Sequence, residues 1–574
     1  MRYRLLEIAI PCLLACFAIG TITYLSWLRF PPPEEVVAII RTADLDGIPE
    51  GTLRADQLVD EAPLETPVPG QPTPGDGQPS TIAGHWPWFR GATLDAIAHD
   101  TIPLLRGWSD DGPKKLWQVE MGKGFAGAAI ERGRVYVLDY DEELRADTMR
   151  CLSLEDGREI WRNSYPVPVA ESHGMSRTVA AIADRYVVSL GPKCHVACWD
   201  AETGENLWLI DLVRDHGSRV PAWYAGQCPL IDPVMDQLIL APGGQSLMMA
   251  VDYRTGEILW ESENPDGWDM THVSVVPMDL GSRRTYVYCG KGGVAAVDAE
   301  TGATLWETTD WRIAVATCPS PVVLPDNRIF LSGGYNSGAR IIEIVENQAG
   351  SDPPFRAETI AVLEPKSFGS EQHTPILLDG YLYGIRQHDR RFICMTLEGE
   401  EVWNSGRVRF GIGPYMIADG LIYIMDDSGV LTTAEATPTA YTEIDTAEIF
   451  EDGVASWGPM ALVGGRLLLR DSTRMACLDL AAIDPPRQEN TDFPPAQNEA
   501  SNPPVNVFEP PQSDVPALPP GNVFEPPQED VPALPPGNVF EPPQEDVPAL
   551  PPSNVFESPQ DDVPALPPGN VFEQ

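Results

Sequence analysis

Basic residues are scarce in this chain. Lys and Arg number 39 against 84 Asp and Glu, a formal net charge of −45 over 574 residues. No basic cluster interrupts that excess, so nucleic-acid binding is excluded. Two chemistry-bearing motifs are missing as well. Gly333-Gly334-Tyr335-Asn336-Ser337-Gly338 lacks the Gly-Lys-Ser/Thr end of a phosphate loop and is expected to be a tight connection. No Cys-x-x-Cys-His occurs, which removes a covalently attached c-type haem. Glu371-Gln372-His373 sets an acid beside a base, yet no recognisable nucleophile motif partners it.

What the chain has is a repeat. Asp200-Ala201-Glu202-Thr203-Gly204 runs to Trp208, Asp298-Ala299-Glu300-Thr301-Gly302 to Trp306, and Asp252 to Gly256 leads to Trp260. Worn copies end at Trp161 and Trp403, and a bare Leu116-Trp117 precedes them all. Trp117, Trp161, Trp208, Trp260 and Trp306 follow at intervals of about 44 to 52 residues, and Trp403 comes about two periods later. Apolar strands such as Val294-Ala295-Ala296-Val297 precede each turn, and Gly-bracketed strands such as Gly133-Arg134-Val135-Tyr136-Val137 lie upstream. Asp opens each turn on its own backbone and Gly closes it with positive φ. The period predicts an all-β propeller over 85–482. Counting units gives eight blades, the strand at Leu116-Trp117 completing a last unit that stops near Leu480; seven blades is the competing count.

Four of the ten cysteines fall into this pattern. Cys151, Cys198, Cys394 and Cys477 occupy the repeat position held elsewhere by Ala250 and Ala296, so they are read as small core residues rather than redox or metal groups.

The ends differ in character. Ile8–Leu28 carries no charge and follows Arg2 and Arg4, which predicts a single membrane-spanning helix within 1–30, its amino terminus cytoplasmic and the rest in the periplasm or outside. A cleaved signal peptide near Ala18-x-Gly20 and a lipid anchor at Cys16 are the alternatives. Residues 31–84, rich in Pro and acid, read as a disordered tether. In 483–574, Asn-Val-Phe-Glu recurs every 16 residues from Asn506, and no basic residue follows Arg487. That disordered tail is a solvated spacer or a row of weak anchors acting through avidity.

The phrase Ala-x-Asp-x-x-Thr-Gly-x-x-Leu-Trp resembles the docking motif of PQQ-like propellers over about residues 113–480. The resemblance implies that Trp117, Trp161, Trp208, Trp260, Trp306 and Trp403 wedge one blade against the next. It is shared by non-enzymatic proteins similar to the outer-membrane assembly factor BamB and by PQQ-dependent dehydrogenases of alcohols or sugars. The enzyme branch implies a quinone stacked on a vicinal disulfide and a Ca²⁺ held by Glu, Asn and Asp. No two cysteines are adjacent here. The expectation is therefore a binding scaffold with protein partners in the envelope and no cofactor, the PQQ- and Ca²⁺-dependent dehydrogenase being the alternative. Candidate binding residues lie in segments leading into an upstream strand: His173, Arg177, Trp223, Gln227, Trp268, Thr271, His272, Thr317 and His373. Gln227, Thr317 and His373 each stand two before a Pro and are expected near one rim. The competing reading is that such side chains cap blade-edge backbone.

Overall fold

The computed structural model describes residues 66–99, 102–172 and 174–494. The apolar run Ile8–Leu28, the tether before residue 66 and the 16-residue repeats lie outside them. Among the described residues no helix is long and apolar enough to cross a membrane.

Eight antiparallel sheets form the ring. Blade 1 runs through Ala129–Glu131, Arg134–Asp141, Ala146–Ser153 and Glu159–Pro166 in spatial order, and blades 2 to 7 repeat this over 181–211, 230–263, 276–308, 322–363, 376–404 and 415–448. The short first strands of neighbouring blades approach one another and surround the axis. Blade 8 holds Ala461–Val463, Arg466–Arg470 and Arg474–Asp479, and its fourth strand is Lys114–Glu120 from the other end of the ring. Trp117 there pairs with Cys477. The eight-blade count and the closure through Leu116-Trp117 hold; the seven-blade count does not.

The repeated phrase works across blades. Asp200 Oδ1 accepts the backbone N–H groups of Glu202 and Thr203 and the Thr203 hydroxyl, and Asp298 does the same for Glu300 and Thr301. The turn glycine then seats the tryptophan of the preceding blade. A Cβ on Gly204, where φ is +74°, would stand 2.5 Å from the Trp161 ring, and one on Gly302 would stand 2.4 Å from Trp260. Each seated indole N–H donates to the carbonyl three residues before its glycine: Trp117 to Leu154 (3.1 Å), Trp161 to Ala201 (3.0 Å), Trp208 to Tyr253 (3.0 Å) and Trp260 to Ala299 (3.0 Å). Trp403 donates to Thr437 at 2.9 Å. Trp306 is buried, but its N–H has no hydrogen-bond partner among the described residues, because blade 5 replaces the Asp-x-x-Thr-Gly turn with a longer hairpin between Glu346 and Phe355.

The small repeat position has a geometric cause. Cys151, Cys198, Ala250, Ala296, Cys394 and Cys477 each pair across the sheet with a docking tryptophan. Where the tryptophan is lost, the partner grows: Ile341 faces Ala361 in blade 5 and Thr433 faces Asp445 in blade 7. Leu363 takes over the seat on Gly399, its Cδ2 2.4 Å from where a Cβ would be. All eight described cysteines are free.

Segments read as tether and tail also pack on the ring. Thr73–Pro74 adds an edge strand to blade 1 beside Trp161 and Arg162. Ile82 pairs with Arg487, Arg487 is 2.8 Å from Glu155, and Phe493 is buried with Arg132 and Arg134 over its ring.

Candidate ligand-binding funnel

The stretch after the tether crosses the middle of the ring. Trp86 pairs with Ile130 on the first strand of blade 1, Ile182 of blade 2 donates its N–H to the Pro87 carbonyl, and Ile97–Ala98 pairs in parallel with Ile417 and Ala418 of blade 7. Between them Arg90 is pinned by four carbonyls, those of Leu94, Asp95, Thr374 and Pro375. Burial lowers its pKa to about 10. This plug closes the axis and separates two cavities of about 270 and 300 Å³, with Phe89 lining both. The sequence reading missed it, although the aromatic cluster Trp86-Pro87-Trp88-Phe89 stands out against the Pro-rich stretch before it.

The first cavity is a funnel built mainly by the segments that enter the first strands, joined by Phe89 of the plug and by Tyr335 from the hairpin between the second and third strands of blade 5. Blades 1 and 8 supply Phe125 and Trp457, whose rings lie 5.1 Å apart. Blades 3 and 5 supply Trp223 and Tyr335, stacked at 6.5 Å with 10° between their planes. Trp223 and Tyr335 both sit at positive φ, +61° and +56°. Few side chains hold that backbone without cost. Arg177, His272, Cys318, Glu371 and His373 supply the polar surface.

Burial dominates the electrostatics. His272 falls from 6.5 to about 3 through burial and then the Arg177 charge, and His373 falls equally through burial and then Arg90. Burial pushes the Cys318 thiol up to about 12 and lowers Arg177 to about 10. Arg177 donates to the Ser172 and Gly174 carbonyls. Glu371 is held by Arg390 (2.6 Å) and Gln387 (3.1 Å).

The candidate residues separate into two groups. Arg177, Trp223, His272 and His373 line the funnel. Gln227 lies wholly buried, exchanging hydrogen bonds with the Ala241 backbone at 2.8 and 3.1 Å. Thr271 donates its hydroxyl to the Cys289 carbonyl at 2.6 Å. Trp268 packs over Gly292 and Gly293. Thr317 is buried, its carbonyl taking the His272 backbone N–H at 3.1 Å. His173 lies outside the described residues. The two-before-Pro position thus gives one funnel residue, His373, and two buried ones.

The quinone with its cation was tested against these residues. It calls for oxygen ligands gathered on one metal ion. Among the described residues no three His, Cys, Asp or Glu gather so as to hold one, and Glu371 is already engaged. Cys228 and Cys318, the funnel's two thiols, have no cysteine next to them in sequence. The residues present do not fit that group.

Residues 145–405 match the family model described as outer membrane protein assembly factor BamB. No curated protein matches the chain. Solved structures that match include BamB from Moraxella catarrhalis, 14% identical, covering 64% of this chain and 99% of that one with a TM-score of 0.43. The quinohemoprotein alcohol dehydrogenase from Comamonas testosteroni is 13% identical over 72% of this chain and 84% of that one, TM-score 0.39. A europium-containing methanol dehydrogenase is 13% identical over 67% and 89%, TM-score 0.38. An assembly factor and dehydrogenases stand side by side here, and these likenesses do not decide between binding and catalysis.

Proposed function

Because the chain is a PQQ-like β-propeller repeat protein, we propose that it is a non-catalytic binding scaffold of the cell envelope, tethered through Ile8–Leu28, with the funnel as its recognition site. The observation that carries this reading is that, among the described residues, the basic, thiol and carboxylate groups of the funnel are not activated. A base whose conjugate acid ionises near 3 is too weak to take a proton near neutrality. Thiols held near 11 at Cys228 and near 12 at Cys318 supply almost no thiolate. The carboxylate of Glu371 is tied to Arg390. Aromatic walls on a rigid ring suit recognition instead.

The test titrates the full chain, in detergent, with PQQ and Ca²⁺ while quinone absorbance, melting temperature and dye reduction with alcohols and sugars are followed. A scaffold shows no quinone spectral change, no rise in melting temperature and no turnover. A stoichiometric complex that reduces dye overturns the reading in favour of the dehydrogenase. Photo-cross-linking from Tyr335 at the funnel mouth, in native envelopes, is expected to trap discrete partners. Fractionation tests the anchor: the whole chain should sediment with membranes, and a variant beginning at residue 31 should not.

A further inference from the structure

The funnel contains two buried polar atoms that nothing among the described residues satisfies. His272 Nδ1 and His373 Nε2 are both shut from solvent without a hydrogen-bond partner, and both rings line the same cavity. A buried polar atom left unpaired is destabilising, because it has given up water without gaining a partner. Two in one cavity mark where a ligand's polar groups belong. Each nitrogen of a neutral imidazole is a donor or an acceptor according to tautomer. A hydroxyl satisfies either. A carboxylate meets only a ring N–H, having no proton to give a bare nitrogen, whereas a hydroxyl meets both. A metal ion takes bare nitrogens, but among the described residues no third ligand gathers beside these two.

The walls set a second requirement. Trp223 stacked on Tyr335 and Phe125 against Trp457 offer broad aromatic faces from opposite parts of the ring. Such faces attract a flat surface of weakly polarised C–H groups. The cavity of about 270 Å³ lies near the lower end of small-molecule sites and is too small for a folded peptide. A flat apolar face edged by hydroxyl groups, in a space of one or two rings, is the chemistry of a pyranose.

We propose that the funnel binds a neutral pyranose sugar, a monosaccharide or the end of a glycan chain, with its C–H face on the aromatic walls and hydroxyls on His272 Nδ1 and His373 Nε2. This rests on the scaffold reading, since no oxidation of the sugar is involved.

The experiment is calorimetric titration of the full chain, in a detergent without a sugar headgroup, with glucose, galactose and N-acetylglucosamine. Mannitol serves as an open-chain polyol lacking the flat face, and Zn²⁺ alone as the metal probe. The expected result is saturable binding of at least one pyranose and none of mannitol. Affinity should fall at least tenfold in both His272→Phe and His373→Phe, each checked for an unchanged circular dichroism spectrum. Trp457→Leu gives an independent reading through the wall and should weaken binding similarly. Saturable Zn²⁺ binding without sugar binding, no pyranose binding by a chain that melts normally, or sugar affinity in both histidine variants equal to that of the unsubstituted chain would each overturn the proposal. Sugar binding with dye reduction only when PQQ is added would instead strike the scaffold reading, so the two failures are distinguishable.

Discussion

The seat of Trp161 on Gly204 offers a quantitative test of how the ring is held. Trp161 is buried, and its loss to Ala should cost about 3–5 kcal/mol, the range for deleting a large buried side chain. The Ala201 carbonyl it leaves keeps a second donor, the Tyr136 hydroxyl at 2.9 Å, so no orphan acceptor adds to that figure. Gly204→Ala carries two separate penalties. Its φ of +74° costs an L-residue about 1–2 kcal/mol. Its new Cβ, 2.5 Å from the indole, forces a shift of the kind that costs about 1–3 kcal/mol. In the Trp161→Ala background the second penalty vanishes and the first remains. The double variant should therefore be more stable than the sum of the singles by about 1–3 kcal/mol, well outside the roughly 0.5 kcal/mol within which independent sites add. Gly281→Ala calibrates the backbone penalty, because φ there is +65° and nothing lies within 4 Å. Urea denaturation of the four proteins and this control supplies every term. Additivity within 0.5 kcal/mol, or a Gly204→Ala cost equal to that of Gly281→Ala, would refute the seating argument.

Three further outcomes are expected. Trp306→Phe should destabilise less than Trp161→Phe by about 1–2 kcal/mol, since it removes an unpaired N–H where the latter breaks a hydrogen bond; paired denaturation curves check this. Asp147 is buried beside the Tyr165 hydroxyl with no hydrogen bond of ordinary geometry, and burial raises its carboxyl to about 8. A raised acid binds its proton in the folded chain after the unfolded chain has released it, so stability falls as pH rises from about 4 to about 8. The depressed His272 and His373 act in the opposite sense from about 3 to 6.5, which leaves the window from about 6.5 to 8 for Asp147; melting across it should show a downward slope that Asp147→Asn abolishes. Truncation after residue 482 removes Arg487 and Phe493 and should lower the melting temperature, whereas truncation after 498 should not; if the 16-residue repeats are anchors, only partner recovery falls in the truncation after 498.

How much of this was legible follows from which residues talk to near neighbours. Asp200, Thr203 and Gly204 bond within five residues, and Trp161 meets them one blade later, so the phrase that makes the turn also announces the ring. The alternation of Cys and Ala at one repeat position was readable for the same reason: the cross-strand tryptophan sets its size. Blades 5 and 7 blurred the count because Ala361 and Asp445 stand in the tryptophan's place and Leu363 covers for one of them.

The funnel was readable by segment but not by side chain. Gln227, Thr271 and His272 all occupy strand-entry segments, yet two of them bond backbone and one faces the cavity. Which way each turns depends on carbonyls exposed by the next hairpin, such as those of Ala241 and Cys289, and local composition does not encode that. The plug was the least legible part. Arg90 bonds carbonyls 284 and 285 residues away, and a short aromatic stretch after a Pro-rich tether carries no period to betray it. Yet the plug is what makes the axis a blind funnel rather than an open channel. A propeller lacking it would offer a ligand two open mouths and solvent on both sides. With Phe89 as the floor, His272 and His373 are desolvated, and their neutrality follows from that. The recognition chemistry proposed for the funnel therefore depends as much on residues 86–98 as on the ring itself.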